Sequence, residues 1–139
     1  MSQDVLLKVQ DLKMHYPIRG GVLFRQIANN YAVDGISFEI NRGETLGIVG
    51  ESGCGKSTVA KAILRLYEPT AGAVEFDGKD IINMSKPDLR EIRQDMQIIF
   101  QDPMESLNSR HTVGTILEEP FVIHGKGTRA ERRKWVTEL

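Results

Sequence analysis

Cysteine is all but missing. Cys54 stands alone in 139 residues, which excludes an internal disulfide, and no Cys/His spacing resembles a zinc site. A reducing compartment fits. A dominant charge is lacking too: 18 Lys and Arg against 19 Asp and Glu leave a net charge of -1. No broad positive field therefore draws the chain to nucleic acid or to an anionic lipid surface. Long apolar runs are absent, with nothing near the roughly eighteen residues of a spanning helix. Met1 to Lys8 also lacks the basic-then-apolar order of a secretory leader. These absences predict a cytoplasmic protein whose link to any membrane goes through a protein partner. Internal repeats, low-complexity tracts and long linkers are absent as well. What remains is ordinary for a globular protein, 40% apolar and 27% charged, at a length suited to one domain or part of one.

Val5 to Met14 alternates loosely and meets Tyr16-Pro17, which predicts a strand stopped by proline. Ile18 to Asn30 holds Gly20-Gly21, the apolar Val22 to Phe24 and Asn29-Asn30, and reads as an excursion between strands. Ala32 to Ile40 returns to strand with Ile36, Phe38 and Ile40 on one face, and Asn41-Arg42-Gly43 supplies a turn. Thr45 to Val49 is a short apolar run of the kind that forms a strand buried on both faces.

Lys56 to Leu66 has helical spacing and is expected to halt at Pro69 to Gly72. Ala73 to Phe76 predicts a strand ending at an Asp77-Gly78 turn, and Lys86 to Asp95 a charged surface helix capped by Ser85. Met96 to Phe100 reads as a second buried strand. Thr112 to Ile123 and Thr128 to Leu139 read as helices, with Pro120 kinking or ending the first. The order predicts an α/β core preceded by antiparallel strands.

The chemistry gathers in one loop. Gly50-Glu51-Ser52-Gly53-Cys54-Gly55-Lys56-Ser57 satisfies the phosphate-binding pattern G-x-x-x-x-G-K-[ST], between an expected strand and an expected helix. Main-chain N-H groups must converge on phosphate oxygens, and Gly50, Gly53 and Gly55 permit the curvature. Lys56 brings a compact positive charge to the β- and γ-phosphates, while the helix beginning there aims its dipole at the same anion. Ser57 can place its hydroxyl on magnesium, and Thr58 can serve the α-phosphate side. Cys54 sits at an unspecified position, where a tolerated side chain is favoured over a reactive thiol.

The loop alone admits GTPases, kinases, helicases and transporter motors. Its surroundings narrow the choice. Thr45 to Thr58, TLGIVGESGCGKST, with Ile98 to Pro103, IIFQDP, resembles the nucleotide-binding subunit of ABC transporters. Ser106 to Gly114, SLNSRHTVG, narrows the likeness to the branch that imports oligopeptides and dipeptides, whose usual form has proline and methionine where this chain has Ser109 and His111. The resemblance implies a P-loop NTPase core of mostly parallel sheet flanked by helices, with an N-terminal antiparallel β subdomain. It divides the chain into 1–44 (antiparallel β), 45–111 (P-loop core up to the Q-loop region) and 112–139 (start of a helical subdomain). ATP and Mg2+ would be the ligands. Glu51, Ser52 and Cys54 would lend main-chain contacts beside the glycines and Lys56. Gln101 would be the Q-loop glutamine, touching magnesium or the attacking water, and Lys56 and Gln101 would carry the catalytic roles available here.

By the same resemblance an aromatic on the early strands stacks on adenine. Tyr16 matches that place, with Tyr31 the rival. Partners would be a second ATPase subunit, integral-membrane permease subunits and, indirectly, a substrate-binding protein, with no nucleic acid. The location would be peripheral, on the cytoplasmic face of the inner membrane. Complete subunits of the family also carry a signature segment, an Asp-Glu strand and a switch histidine, none of which occurs before Leu139. A truncated chain, inactive or nearly so alone, is therefore expected. A soluble non-transporter ABC-type ATPase and a non-hydrolysing nucleotide-binding fragment stay open as alternatives. His15, His111 and His124 read as structural histidines. Arg129, Arg132, Arg133 and Lys134 alternate with acidic residues and read as a solvated helix face, with a permease contact also open.

Overall fold

The computed structural model describes residues 4–20, 25–102 and 107–139. They fall into two compact units, Met1–Gln97 and Ile98–Leu139. Expectations resting on Val22 to Phe24, on Pro103 and on Ser106 lie outside the described residues. The first unit is built on β1 (Val5–Gly20), β2 (Arg25–Asn41), β3 (Ala71–Phe76) and β4 (Lys79–Asp80), which form one antiparallel sheet in the order β2-β1-β3-β4. Against it pack α1 (Lys56–Ile63) and α2 (Lys86–Ile92).

β1 and β2 pair from Val5 opposite Asn41 to Gly20 opposite Arg25. This corrects two expectations. The first strand does not stop at Tyr16-Pro17, and Ile18–Gly20 and Arg25–Asn30 continue the ladder instead of leaving it. The reason lies in β3, which accompanies β1 only as far as Lys13 opposite Ala71. Beyond that point β1 has a single described neighbour, so alternate N-H groups have no ladder partner and a proline is tolerated. Pro17 sits opposite Asn29 without ending the ribbon.

Near Asp11, whose φ is 45°, β1 bulges, and its N-H donates to Ser37 Oγ at 2.8 Å. Gly72 presses on this bulge with a φ of 98°: a Cβ there would lie 2.4 Å from the carbonyl oxygen of Asp11. The Asn41 to Gly43 turn forms as expected, closed by the Glu44 N-H donating to the Asn41 carbonyl at 3.0 Å.

Val9, Leu12, Val74 and Ile81 are the largest fully buried side chains among the described residues. They meet Ala62 of α1 and Leu89 and Ile92 of α2 in the main core, each large apolar side chain contributing about 1.5–3 kcal/mol. A second cluster joins Met14, Val33 and Val59, with Tyr16, Ile36 and Phe38 packed against it. Ser85 caps α2 as expected, though Leu89 and Ile92 make it a half-buried helix rather than a surface one.

α1 ends at Ile63, well before Pro69. Arg65 adopts φ 50°, and its N-H donates to Ala62 O at 2.9 Å while that of Leu66 donates to Lys61 O at 2.9 Å. That is a Schellman stop with arginine where glycine is usual. The guanidinium of Arg93 completes it, donating to the carbonyls of Leu64 and Arg65, each at 2.9 Å.

Two expected strands do not form. Thr45 to Val49 and Met96 to Phe100 carry no strand pairing, and their side chains stand out: Val49 is 92% and Ile99 90% exposed. An apolar run becomes a buried strand only when neighbours take up its N-H and C=O groups. Among the described residues no strand lies beside either segment.

The second unit holds α3 (Val113–Ile123) and α4 (Arg129–Glu138). Thr112 caps α3, which continues through Pro120 to Ile123, so the proline does not end it. Gly125, with φ 63°, stops it: the Lys126 N-H donates to Phe121 O at 2.8 Å. Thr128 and Glu131 form a capping box on α4. The helices are joined by Phe121 against Trp135, ring centroids 5.2 Å apart, and by Arg132 to Glu118 at 3.1 Å. Arg132 thus leaves the expected solvated face and ties the pair together.

Candidate functional site

The glycine-rich loop runs from Gly50 into the first turn of α1. Two of its glycines need left-handed backbone, Gly53 at φ 83° and Gly55 at φ 99°. Gly55 is constrained twice over. It is the N-cap of α1, and a Cβ on it would lie 2.1 Å from the carbonyl oxygen of Ala32 in β2. A Cβ on Gly50 would come within 2.6 Å of Cys54 Sγ.

No side chain caps α1. Its opening N-H groups, which have no partner inside the helix by geometry, are thus left to an external acceptor. Lys56 folds back across the loop: its Nζ donates to Gly50 O at 2.8 Å and Glu51 O at 2.6 Å, and lies 3.5 Å from Cys54 Sγ. The ammonium group therefore closes the loop into a ring. Ser57 is exposed and Thr58 half-buried beside it, while Val59 is buried and anchors the turn to the second cluster. Glu51, Ser52, Gly53 and Cys54 are exposed, and Cys54 N-H donates to Glu51 O at 3.4 Å.

This arrangement suits a polyanion: uncapped main-chain donors open a helix with one ammonium beside them. The sequence pattern of the ABC transporter family matches residues 33–139. The chain belongs to that family.

The ABC chain is 48% identical to the oligopeptide transport ATP-binding protein AppF of Bacillus subtilis, over 99% of its own length and 42% of the relative's. It is 47% identical to the oligopeptide transport ATP-binding protein OppF of Salmonella typhimurium, over 95% of its length and 40% of that protein's. The chain thus spans about two fifths of the length of these curated relatives. Among solved structures it resembles the ATP-binding cassette MJ0796 in a dimeric post-hydrolysis state bound to ADP and Pi, at TM-score 0.77 and 28% identity, covering 96% of this chain and 55% of that one. Its fold is that of the ABC ATPase cassettes, over the part of them that the chain covers.

Tyr16 and Tyr31 sit on opposite strands of the ribbon in different settings. Tyr16 is half-buried on the cluster that includes Val59, with its ring edge-to-face to Tyr67 at 6.3 Å. Tyr31 is 59% exposed and edge-on to His15 at 4.5 Å. The His15 ring is hydrogen-bonded to Asp34 at 3.1 Å, and the main-chain N-H of His15 donates to Thr70 Oγ1 at 2.9 Å, which fits a structural histidine. Gln101 belongs to the second unit and is exposed.

Sequence reading missed Ala32, whose carbonyl backs Gly55, and the arginine pair behind α1. Neither follows from a local pattern: Ala32 depends on which strand passes beneath the loop, and the arginines on which distant groups meet at the far end of α1. Arg65 donates to Glu68 at 2.9 Å and to the Met84 carbonyl at 2.6 Å. Its guanidinium holds the Glu68 carboxyl below the usual glutamate range.

Proposed function

We propose that this chain is the ATP-binding front part of a motor subunit that drives an ABC importer of oligopeptides or dipeptides, working at the cytoplasmic face of the inner membrane. The observation that carries the reading is the ring at the start of α1, with Gly53 and Gly55 in left-handed backbone and Lys56 closing it. The similarity to AppF and OppF supports the peptide-import branch. A second ATPase subunit and membrane permease subunits would be the partners, with a substrate-binding protein beyond them.

In this reading residues 50–58 hold ATP. The N-H groups of Gly53 to Thr58 receive phosphate oxygens, Lys56 turns from the loop carbonyls to the β- and γ-phosphates, and Tyr16 stacks on the base. Segments 1–44, 45–111 and 112–139 would serve as base-side sheet, phosphate core and start of the helical subdomain. Among the described residues no group of three carboxylate, imidazole or thiol side chains gathers as a metal site. Magnesium would be held by the Ser57 hydroxyl beside the phosphate oxygens, with Gln101 touching the ion or the attacking water. Bound there, magnesium neutralises charge on the β- and γ-oxygens. Gln101 would orient the attacking water.

The test is equilibrium binding of MgATP to residues 1–139 alongside phosphate release. Binding should weaken about tenfold or more in Lys56→Ala, since a charge-assisted contact is lost. Turnover should not exceed that of the same variant, because the signature and general base of complete subunits are not among these residues. Unchanged affinity in Lys56→Ala would sink the site, and steady turnover would sink the assignment of a binding half.

A further inference from the structure

We propose that Tyr67 is a positioning residue for the nucleobase, acting through Tyr16; the inference rests on the reading of Tyr16 as the base-stacking ring. A stacking ring must present one face at a fixed angle, and a ring free to turn loses affinity by having to be ordered on binding. One flank of Tyr16 is set by the Met14, Val33 and Val59 cluster. Its ring also meets that of Tyr67, which stands at 87° to it with centroids 6.3 Å apart. That is the favourable edge-to-face geometry, in which the positive rim of one ring meets the negative face of the other.

Tyr67 is itself held. Lys61 Nζ lies 5.3 Å from its ring centroid, within cation-π range. Its N-H donates to Lys61 O at 3.4 Å, just past the stop at Arg65. One helix therefore carries the phosphate contacts Lys56 and Ser57 in its first turn and fixes the brace of the base-stacking ring at its far end. Nucleotide affinity should depend on Tyr67 through the base alone.

The experiment compares ATP with inorganic tripolyphosphate as displacers of a fluorescent ATP analogue from the full chain, and follows the Tyr16 ring protons by NMR. Tyr67→Leu should shift those protons and lower ATP affinity about threefold to tenfold, with tripolyphosphate affinity unchanged. Tyr67→Phe keeps the ring and should preserve both. An equal loss for the two ligands, or a shifted Tyr16 ring with the ATP to tripolyphosphate ratio intact, overturns the inference. Tyr16→Ala separates the levels. If it lowers the ratio and Tyr67→Leu does not, only the brace fails; if it leaves the ratio intact, the stacking role of Tyr16 falls and takes the brace with it.

Discussion

Val5 to Leu12, which alternates loosely, and Thr45 to Val49, a short apolar run, both read as strands, yet they meet opposite fates. In the first, Val9 and Leu12 are sealed between β2, β3 and the helices; in the second, Leu46, Ile48 and Val49 stand in solvent. The difference is in the neighbours. β1 has a ladder on both sides over its first half, whereas Thr45 to Val49 has none among the described residues. Apolar character states a demand for burial, and backbone pairing decides whether it is met.

The contrast can be broken most forcefully at Leu12. Leu12→Ala should cost about 3 kcal/mol in a urea titration followed by circular dichroism, while Val49→Ala should change stability by less than about 0.5 kcal/mol. Similar losses at the two positions would mean that Thr45 to Val49 is buried in solution. Next in size is Gly72→Ala, which places a Cβ against the Asp11 and Leu12 backbone from a left-handed φ. About 2 kcal/mol should be lost, and hydrogen exchange should quicken at β1 and β3 first. Arg93→Ala should cost about 1.5 kcal/mol by leaving the Leu64 and Arg65 carbonyls without their donor. Faster exchange at the end of α1, with its start unchanged, is the reading that checks it.

The smallest effect is acidic. Glu68, Asp80 and Glu131 are held below their usual ranges, Glu68 chiefly by Arg65, Asp80 by Asn83 and Glu131 by the Thr128 N-H. A depressed folded-state value contributes stability above the unfolded value and loses it as pH falls through the folded one. Thermal midpoints should therefore decline between about pH 5 and pH 3. Glu68→Gln should flatten part of that slope, and an unaltered slope would remove Glu68 from it.

Local chemistry was legible in the sequence. The cap at Ser85, the opening of helices at Lys56 and near Thr128, and the alternation of Ile36, Phe38 and Ile40 are set by neighbours within a few residues, and all stand where expected. What escaped depends on distant chain. Pro17 reads as a stop until one knows that β3 has already left β1. The end of α1 carries arginine in the place where a glycine would have announced it, held there by the nearby Glu68 carboxylate and by the carbonyls of Ile81 and Met84 further along the chain. Thr45 to Val49 looks like a core strand because nothing local records whether its neighbours are present.

Gly55 carries a consequence for how this site can drift over generations. Two unrelated demands meet at one residue: the left-handed turn that opens α1, and the Ala32 carbonyl oxygen, which a Cβ on Gly55 would approach to 2.1 Å. A replacement that kept the turn would still be rejected by the strand below, so packing alone would guard the position whatever the loop binds. Variation is left to Glu51, Ser52 and Cys54, whose side chains face water, and tuning of the cradle is channelled through those three.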